Sequence, residues 1–277
     1  MEITLDNIEN HLHLFSNDNT DFGNPSWAEP IFAAMIRAYQ NDEKLDISIG
    51  NGYTRKVILE EYVKNRTYSP IERVSSRMGL EAISTHITGI MMQNFSSLSE
   101  VDRKDLKDYL QYLFLELMNN VADHAYSPVG GYTMAQYFRK KHKIQFVAAD
   151  RGVGILENML LKFADVKNEA DAIYMALEKG VTSTRQKMYQ HEKNAGFGLY
   201  AMFEILKMTG GKFVIISNDM LVRYTGGQYE EIKLENPWKG VVVAFDFFEA
   251  EINYDMDHFR RNYLWGGLTK EDDEDFF

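Results

Sequence analysis

LFLELMNNVADHAY, Leu113–Tyr126, is the stretch on which the reading of the whole chain turns. On a helix Glu116, Asn120 and His124 fall four residues apart, so a carboxylate, an amide and an imidazole line one side. Phe114, Leu117, Met118, Val121, Ala122 and Ala125 fall on the other, which makes the segment an amphipathic helix. Taken alone, such a polar face is what any surface helix shows to water. Two glycine-bearing turns further along change that reading: DRGVGI at Asp150–Ile155 and GFGL at Gly196–Leu199. The first follows a predicted strand, Lys143–Ala149. There the missing side chains of Gly152 and Gly154 would let backbone approach a ligand closely and adopt positive φ. The second opens a predicted helix, Leu199–Thr209, where unpaired N–H groups and the helix dipole favour an anion such as phosphate. No Gly-Lys-Ser/Thr ending marks a Walker loop, and the spacing is not that of a dinucleotide fingerprint.

A helix with Glu-x-x-x-Asn-x-x-x-His, then Asp-x-Gly-x-Gly after a strand, then Gly-x-Gly-Leu opening a helix, resembles the GHKL superfamily of ATP-binding domains. Its members include gyrase, chaperone ATPases, mismatch-repair proteins, sensor histidine kinases and anti-sigma-factor serine kinases. The resemblance spans roughly residues 106–248, and the spacing of Glu116, Asn120 and His124 is most similar to the anti-sigma-factor kinases. It implies a Bergerat-type α/β sandwich, a mixed sheet with helices on one face, with ATP and Mg²⁺ bound between sheet and lid. In that likeness Glu116 would be the general base, and Asn120 would be the Mg²⁺ ligand through its carbonyl oxygen. His124 would sit near the phosphates or brace the helix. Asp150 would accept from the adenine amine, Gly152 and Gly154 would shape the loop around the base, and Gly196, Phe197, Gly198 and Leu199 would hold β- or γ-phosphate. Asp150 as a simple helix cap is the alternative. Thr182–Arg185, with Thr184 among them, resembles the Thr/Ser-rich lid of kinase members, and a solvated loop is the other reading. Many relatives carry Gly-Thr at the start of the last strand, whereas Val241 follows Gly240 here, so a water-mediated adenine contact is absent or made by another residue.

Composition bounds what remains. The 277 residues are 45% hydrophobic, enough for a sizeable core. No run approaches the length needed to cross a bilayer, and no leader-like start is present, so a soluble, cytoplasmic protein is expected. Zero cysteines exclude disulfides and thiolate metal sites. A net charge of -11 argues against general nucleic-acid binding, which draws on a basic surface.

Outward from the central motifs, residues 1–66 read as a small N-terminal α/β lobe. Ile3–Leu5, His11–Phe15 and Leu45–Ile49 suggest short strands, and two helices are expected at Trp27–Tyr39, with Ser26 as N-cap, and Arg55–Lys64. Asn24–Ala34 faintly resembles STAS-like domains; an extension packed on the ATP-binding part is the alternative. Residues 67–105 read as a connecting, mostly helical segment through Ile71–Phe95, where long apolar periodicity suggests a homodimer. There His86 reads as a core or interface histidine.

Residues 106–250 form the ATP-binding domain. Its lid would hold helices at Leu156–Phe163 and Glu169–Lys179. Strands are expected at Tyr132–Phe138, Lys143–Ala149, Lys212–Ser217, Leu221–Tyr224, Tyr229–Leu234 and Gly240–Phe248. Lys140, Lys141 and Lys143 would keep a hairpin end solvated. Residues 251–277 form an extension with an acidic tail. Three functions stay open: a protein serine/threonine kinase acting on a STAS-domain or other regulatory partner, a conformational ATPase, and a nucleotide sensor without turnover.

Overall fold

The computed structural model describes residues 1–50, 53–58, 67–94, 99–178, 181, 198–208 and 210–248. Its centre is a five-stranded sheet built from β3 (Glu72–Val74), β4 (Gly131–Phe138), β5 (Lys143–Asp150), β6 (Lys212–Thr225) and β7 (Gln228–Phe248). The strand order is β3-β4-β5-β7-β6, and every ladder is antiparallel. A mixed sheet was the sequence expectation; the fold is α/β, with an antiparallel sheet.

Period-2 alternation sorts the side chains. On β5, Ile144, Phe146 and Ala148 point to one core, and Val147 and Ala149 to the other. The first core receives α3 (Leu80–Met92), α4 (Glu100–His124), α6 (Glu169–Ala176) and α7 (Gly198–Met208). The second receives the N-terminal segment: β1 (Glu2–Ile3), a 3-10 helix (Ile8–Phe15), β2 (Trp27–Ala28), which pairs in parallel with β1, and α1 (Pro30–Glu43). All helices after β3 that enter a core therefore share one face, and the N-terminal segment seals the opposite one.

Several local expectations shift for identifiable reasons. His11–Phe15 alternates like a strand, yet Ile8, Leu12 and Phe15 are the buried residues, and their spacing is helical. The first helix begins at Pro30 rather than Trp27, because Pro at N1 is pre-set for a helix start. Trp27 and Ala28 instead extend beside β1. In Leu45–Ile49 only Ser48 forms a bridge, to Asp21. The second helix, α2, covers Tyr53–Ile58, and the rest of Arg55–Lys64 lies outside the described residues. The Ile71–Phe95 segment is not one helix: it opens with β3, an edge strand of the main sheet, and only then enters α3.

Leu80, Ile87, Met91 and Met92 are buried against α4 within a single chain, whereas Met78, just ahead of α3, is 90% exposed. His86 is an exposed residue, its Nδ1 3.4 Å from Glu72 Oε1, and not a core histidine. The expected lid helices are α5 (Ile155–Leu160) and α6. Four expected strands after α7 merge into the β6–β7 hairpin. A bulge at Ser217–Met220 switches the inward parity of β6 from Phe213 and Ile215 to Val222 and Tyr224. Among the described residues no helix is long and apolar enough to cross a membrane.

Candidate functional site

The apolar face of α4 fixes how its polar face is presented. Leu110, Leu113, Phe114, Leu117, Met118 and Val121 are buried. Phe114 lies flat on Phe146 of β5, with centroids 4.3 Å apart and planes within 9°, and Phe146 in turn stacks on Phe245 of β7. At the C-terminal end of the helix there is no room for side chains. A Cβ on Gly131 would lie 2.5 Å from Val121 Cγ1. The helix is therefore pressed onto the sheet beside the residue that pairs with Gly131, which is Asp150.

The Asp150–Ile155 turn is joined directly to that helix end. Val153 N–H donates to the Ala125 carbonyl at 2.8 Å. Asn158 Nδ2 bridges the His124 carbonyl at 2.9 Å and the Gly154 carbonyl at 3.1 Å. A Cβ on Gly152 would fall 1.7 Å from the Ala125 oxygen, and one on Gly154 would fall 2.0 Å from Asn218 Nδ2. Gly152 is thus required by close approach to backbone, whereas Gly154 faces the side-chain ends of Asn218 and Glu169, and neither adopts positive φ.

Asp150 ends β5 on the α4 side, since its parity matches Ile144, Phe146 and Ala148. It is buried, and its Oδ1 accepts from Gly152 N–H at 2.8 Å and from Val241 N–H at 3.4 Å. Burial nevertheless pushes its carboxyl up to about 7, against the pull of these two amides. Two neighbours close in on it, Trp238, which carries no assignment from sequence, and Gly240, expected there only as the start of the last strand. Trp238 donates its indole N–H to the Asp150 carbonyl at 2.9 Å. Gly240 has φ +97°, and a Cβ there would sit 2.6 Å from that same oxygen and 2.7 Å from Oδ1. A glycine inside a strand is the usual trace of such an approach, and this one was visible.

The next residue, Arg151, is buried between the Tyr39 and Trp238 rings, 5.2 and 4.9 Å from their centroids. It pairs with Asp42 at 3.3 Å and Glu43 at 2.7 Å, which ties the turn to the end of α1. On the other side of the turn, the buried Glu169 accepts from Leu156 N–H at 3.2 Å and from the Ser217 hydroxyl. Ser217 Oγ itself accepts from Ile155 N–H at 2.8 Å. The first amides of α5 are thereby satisfied from α6 and β6.

On the polar face of α4, Glu116 is raised to about 7 by burial first. Arg77 and the Asn119 side chain oppose this, and Asp123 reinforces it. His124 is lowered, chiefly by burial, so at neutral pH its imidazole is uncharged. Asn120 Nδ2 is buried without a hydrogen-bond partner among the described residues. An amide left unsatisfied in this way is the kind of group that needs a ligand or water to complete it. Arg77, which sequence reasoning overlooked, forks onto Asp123 with Nε–Oδ1 at 2.8 Å and Nη2–Oδ2 at 2.6 Å. No signal marks it in the sequence, because the contact joins residues 46 positions apart.

Gly198 opens α7 and Leu199 packs partly into the α4 core, whereas Thr184, Gly196 and Phe197, like all of 182–197, lie outside the described residues. The same holds for the 251–277 extension. No group of three or more His, Asp or Glu among the described residues forms a metal cage. The oxygen of the Asn120 amide is a donor suited to a hard cation that would take its other ligands from phosphate and water. Against known proteins, the chain matches no family model and no curated sequence.

Proposed function

We propose that the chain is a GHKL-type Mg-ATP-binding protein with a Bergerat-type core, which transfers the γ-phosphoryl group to a serine or threonine of a partner protein. One observation carries the reading: the end of the Glu116/Asn120/His124 helix is hydrogen-bonded to the Asp150 turn, through Val153 N–H to Ala125 O at 2.8 Å. Two motifs separated in sequence by a hairpin thus meet at one place, as a site gripping both base and phosphates requires. The long β7 contributes Gly240 and Val241 to the same place.

In this reading Asp150 presents its carboxyl to the adenine amine, and Asn120 offers an amide oxygen to Mg²⁺. The cation supplies charge neutralisation on the phosphates. Glu116 takes the proton of the attacking hydroxyl. The hydroxyl oxygen forms a bond to the γ-phosphorus, the bond to the β–γ bridging oxygen breaks, and ADP departs. A carboxylate near pKa 7 is matched to that task at neutral pH. His124, uncharged, holds the helix end through its carbonyl bond to Asn158. A STAS-domain protein, as in the kinases the motifs resemble, is the partner to try first, and a cytoplasmic setting goes with it.

The test is γ-labelled ATP with Mg²⁺, with and without a STAS-domain protein, on wild type, Glu116→Ala and Asn120→Ala. Label on a protein serine or threonine that is lost in both variants is the expected result. Release of free phosphate alone would make the protein an ATPase, and binding without either product would make it a sensor. No nucleotide binding at all would end the proposal.

A further inference from the structure

The charge balance of the candidate site draws attention to Arg77. Asp123 lies three residues after Asn120 and seven after Glu116, two turns apart on one face and roughly 10 Å along the axis. The Asp150 turn joins the end of the same helix, so the proposed site carries three carboxylates where a polyanion would have to bind. His124 brings no charge, because burial keeps its imidazole neutral.

Four basic side chains of the sheet and its edges are directed to other parts of the protein. Lys143 and Lys212 pair with Glu29, Asp246 and Asp6 on the N-terminal side. Arg151 is held by Asp42 and Glu43, and Arg73 donates to the Val129 carbonyl. Among the described residues Arg77 is the cation whose charge bears on both Glu116 and His124.

Resting on the ATP-binding reading, we propose that Arg77, aimed by Asp123, contacts the terminal phosphate of the nucleotide beside Glu116. The connection that carries Arg77 is fixed at both ends. β3 pairs with β4 through Val74 and Gly131, and Gly79 at φ +86° turns the chain into α3. The guanidinium is held side-on by two bonds to Asp123, so its orientation is set before any phosphate arrives. Its side chain nevertheless remains 52% exposed, against 20% for Asp123. A half-exposed ion pair of this kind contributes little to folding. A guanidinium oriented by a carboxylate on the face that carries Asn120 suits phosphate oxygens, which it binds through charge-assisted hydrogen bonds. The segment that carries it lies ahead of the motifs resembling the ATP-binding family, so the site extends to residues N-terminal of α4.

Calorimetric titration of the full chain with Mg-ATP and Mg-ADP tests this, on wild type, Arg77→Gln, Arg77→Lys and Asp123→Asn. Arg77→Gln should weaken ATP about tenfold or more while leaving ADP within about twofold. Arg77→Lys should recover part of the loss, because charge returns without the fork. Asp123→Asn should weaken ATP by a smaller factor with ADP again spared. An unchanged ATP/ADP ratio in Arg77→Gln, whether both affinities hold or both fall, overturns the role of Arg77 alone. Absence of binding in wild type overturns the ATP-binding reading and this proposal together.

Discussion

Glu116 and Asp150 are both carboxyls pushed up to about 7 by burial, yet the two shifts serve different ends. For Glu116 the raised value sets when the group can accept a proton. Under the proposed kinase reading, phosphoryl transfer should rise with pH through about 7 and level off above it, because the deprotonated form would be the base. Glu116→Gln keeps the shape and removes the basicity. It should lower kcat by roughly 10²–10⁴-fold with nucleotide affinity little changed, read from initial rates beside a binding titration. For Asp150 the shift is also a statement about stability. Its folded value lies above the reference 3.8, so the folded chain holds a proton that the unfolded chain has lost between about pH 4 and 7. Stability from this group is full below pH 4 and declines as pH rises through 7. Asp150→Asn retains an oxygen that can accept from Gly152 and Val241 and does not ionise. At pH 8 it should stabilise the ligand-free protein by roughly 1–3 kcal/mol, a gain that vanishes near pH 4, while ATP binding weakens. Thermal midpoints at the two pH values, with and without ATP, check it. A midpoint that drops at pH 8 would contradict the assignment. Glu116, Asn120, His124 and Asp150 are picked out by local sequence patterns, whereas the contacts of Arg77 and Trp238 join distant parts of the fold and leave no local trace.

At the level of elements, α4 and the Asp150 turn are joined because Gly152 lets the turn reach the Ala125 carbonyl and Asn158 bridges the two backbones. Gly152→Ala places a methyl against the Ala125 carbonyl, a backbone atom that cannot rotate away. It should cost about 1–3 kcal/mol and reduce nucleotide affinity, since either the turn or the helix end must move. Gly89, on the exposed side of α3 with nothing within 4 Å of a Cβ, is the matching control. Gly89→Ala should stabilise by about 0.5–1 kcal/mol through helix propensity, with no effect on binding. Chemical denaturation curves of the two variants should therefore move in opposite directions. The strands expected at Tyr132–Phe138 and Lys143–Ala149 form within one residue of those bounds, because they are uninterrupted runs without Pro or Gly. In β7, Pro237 and Gly240 look like breaks, but the strand runs through them to reach Asp150. β3 was hidden for a different reason. At three residues it is too short to show alternation, and only its pairing with β4 makes it a strand.

Across the whole molecule, the sheet depends on the N-terminal segment for its second face. Met134, Val147, Val214, Val242 and Ala244 are covered by Phe22, Phe32, Tyr39 and the residues around them. A buried polar cluster sits within that apolar contact. Lys143 Nζ lies 3.1 Å from Glu29 Oε1 and 2.6 Å from Asp246 Oδ2, while Gln145 Nε2 donates to both carboxylates at 2.9 and 2.8 Å. Lys143 was expected to keep a hairpin end solvated; it is instead 3% exposed, because odd positions of β5 face the N-terminal segment. Burial opposes its charge, but Asp246 and Glu29 outweigh that and hold its pKa above the usual lysine value. Removing one partner of such a cluster should be far more damaging than removing an exposed pair, since the charges left behind stay out of water. Lys143→Met should destabilise by about 3–5 kcal/mol. Adding Asp246→Asn should restore part of that, because one uncompensated carboxylate disappears, whereas two unrelated mutations would simply add. Urea unfolding of wild type, both single variants and the double variant closes the cycle. Additivity within about 0.5 kcal/mol would show that the cluster does not act as a unit. Recovery in the double variant would show that Lys143 and Asp246, on neighbouring strands, act as one charge unit facing Glu29 of the N-terminal segment.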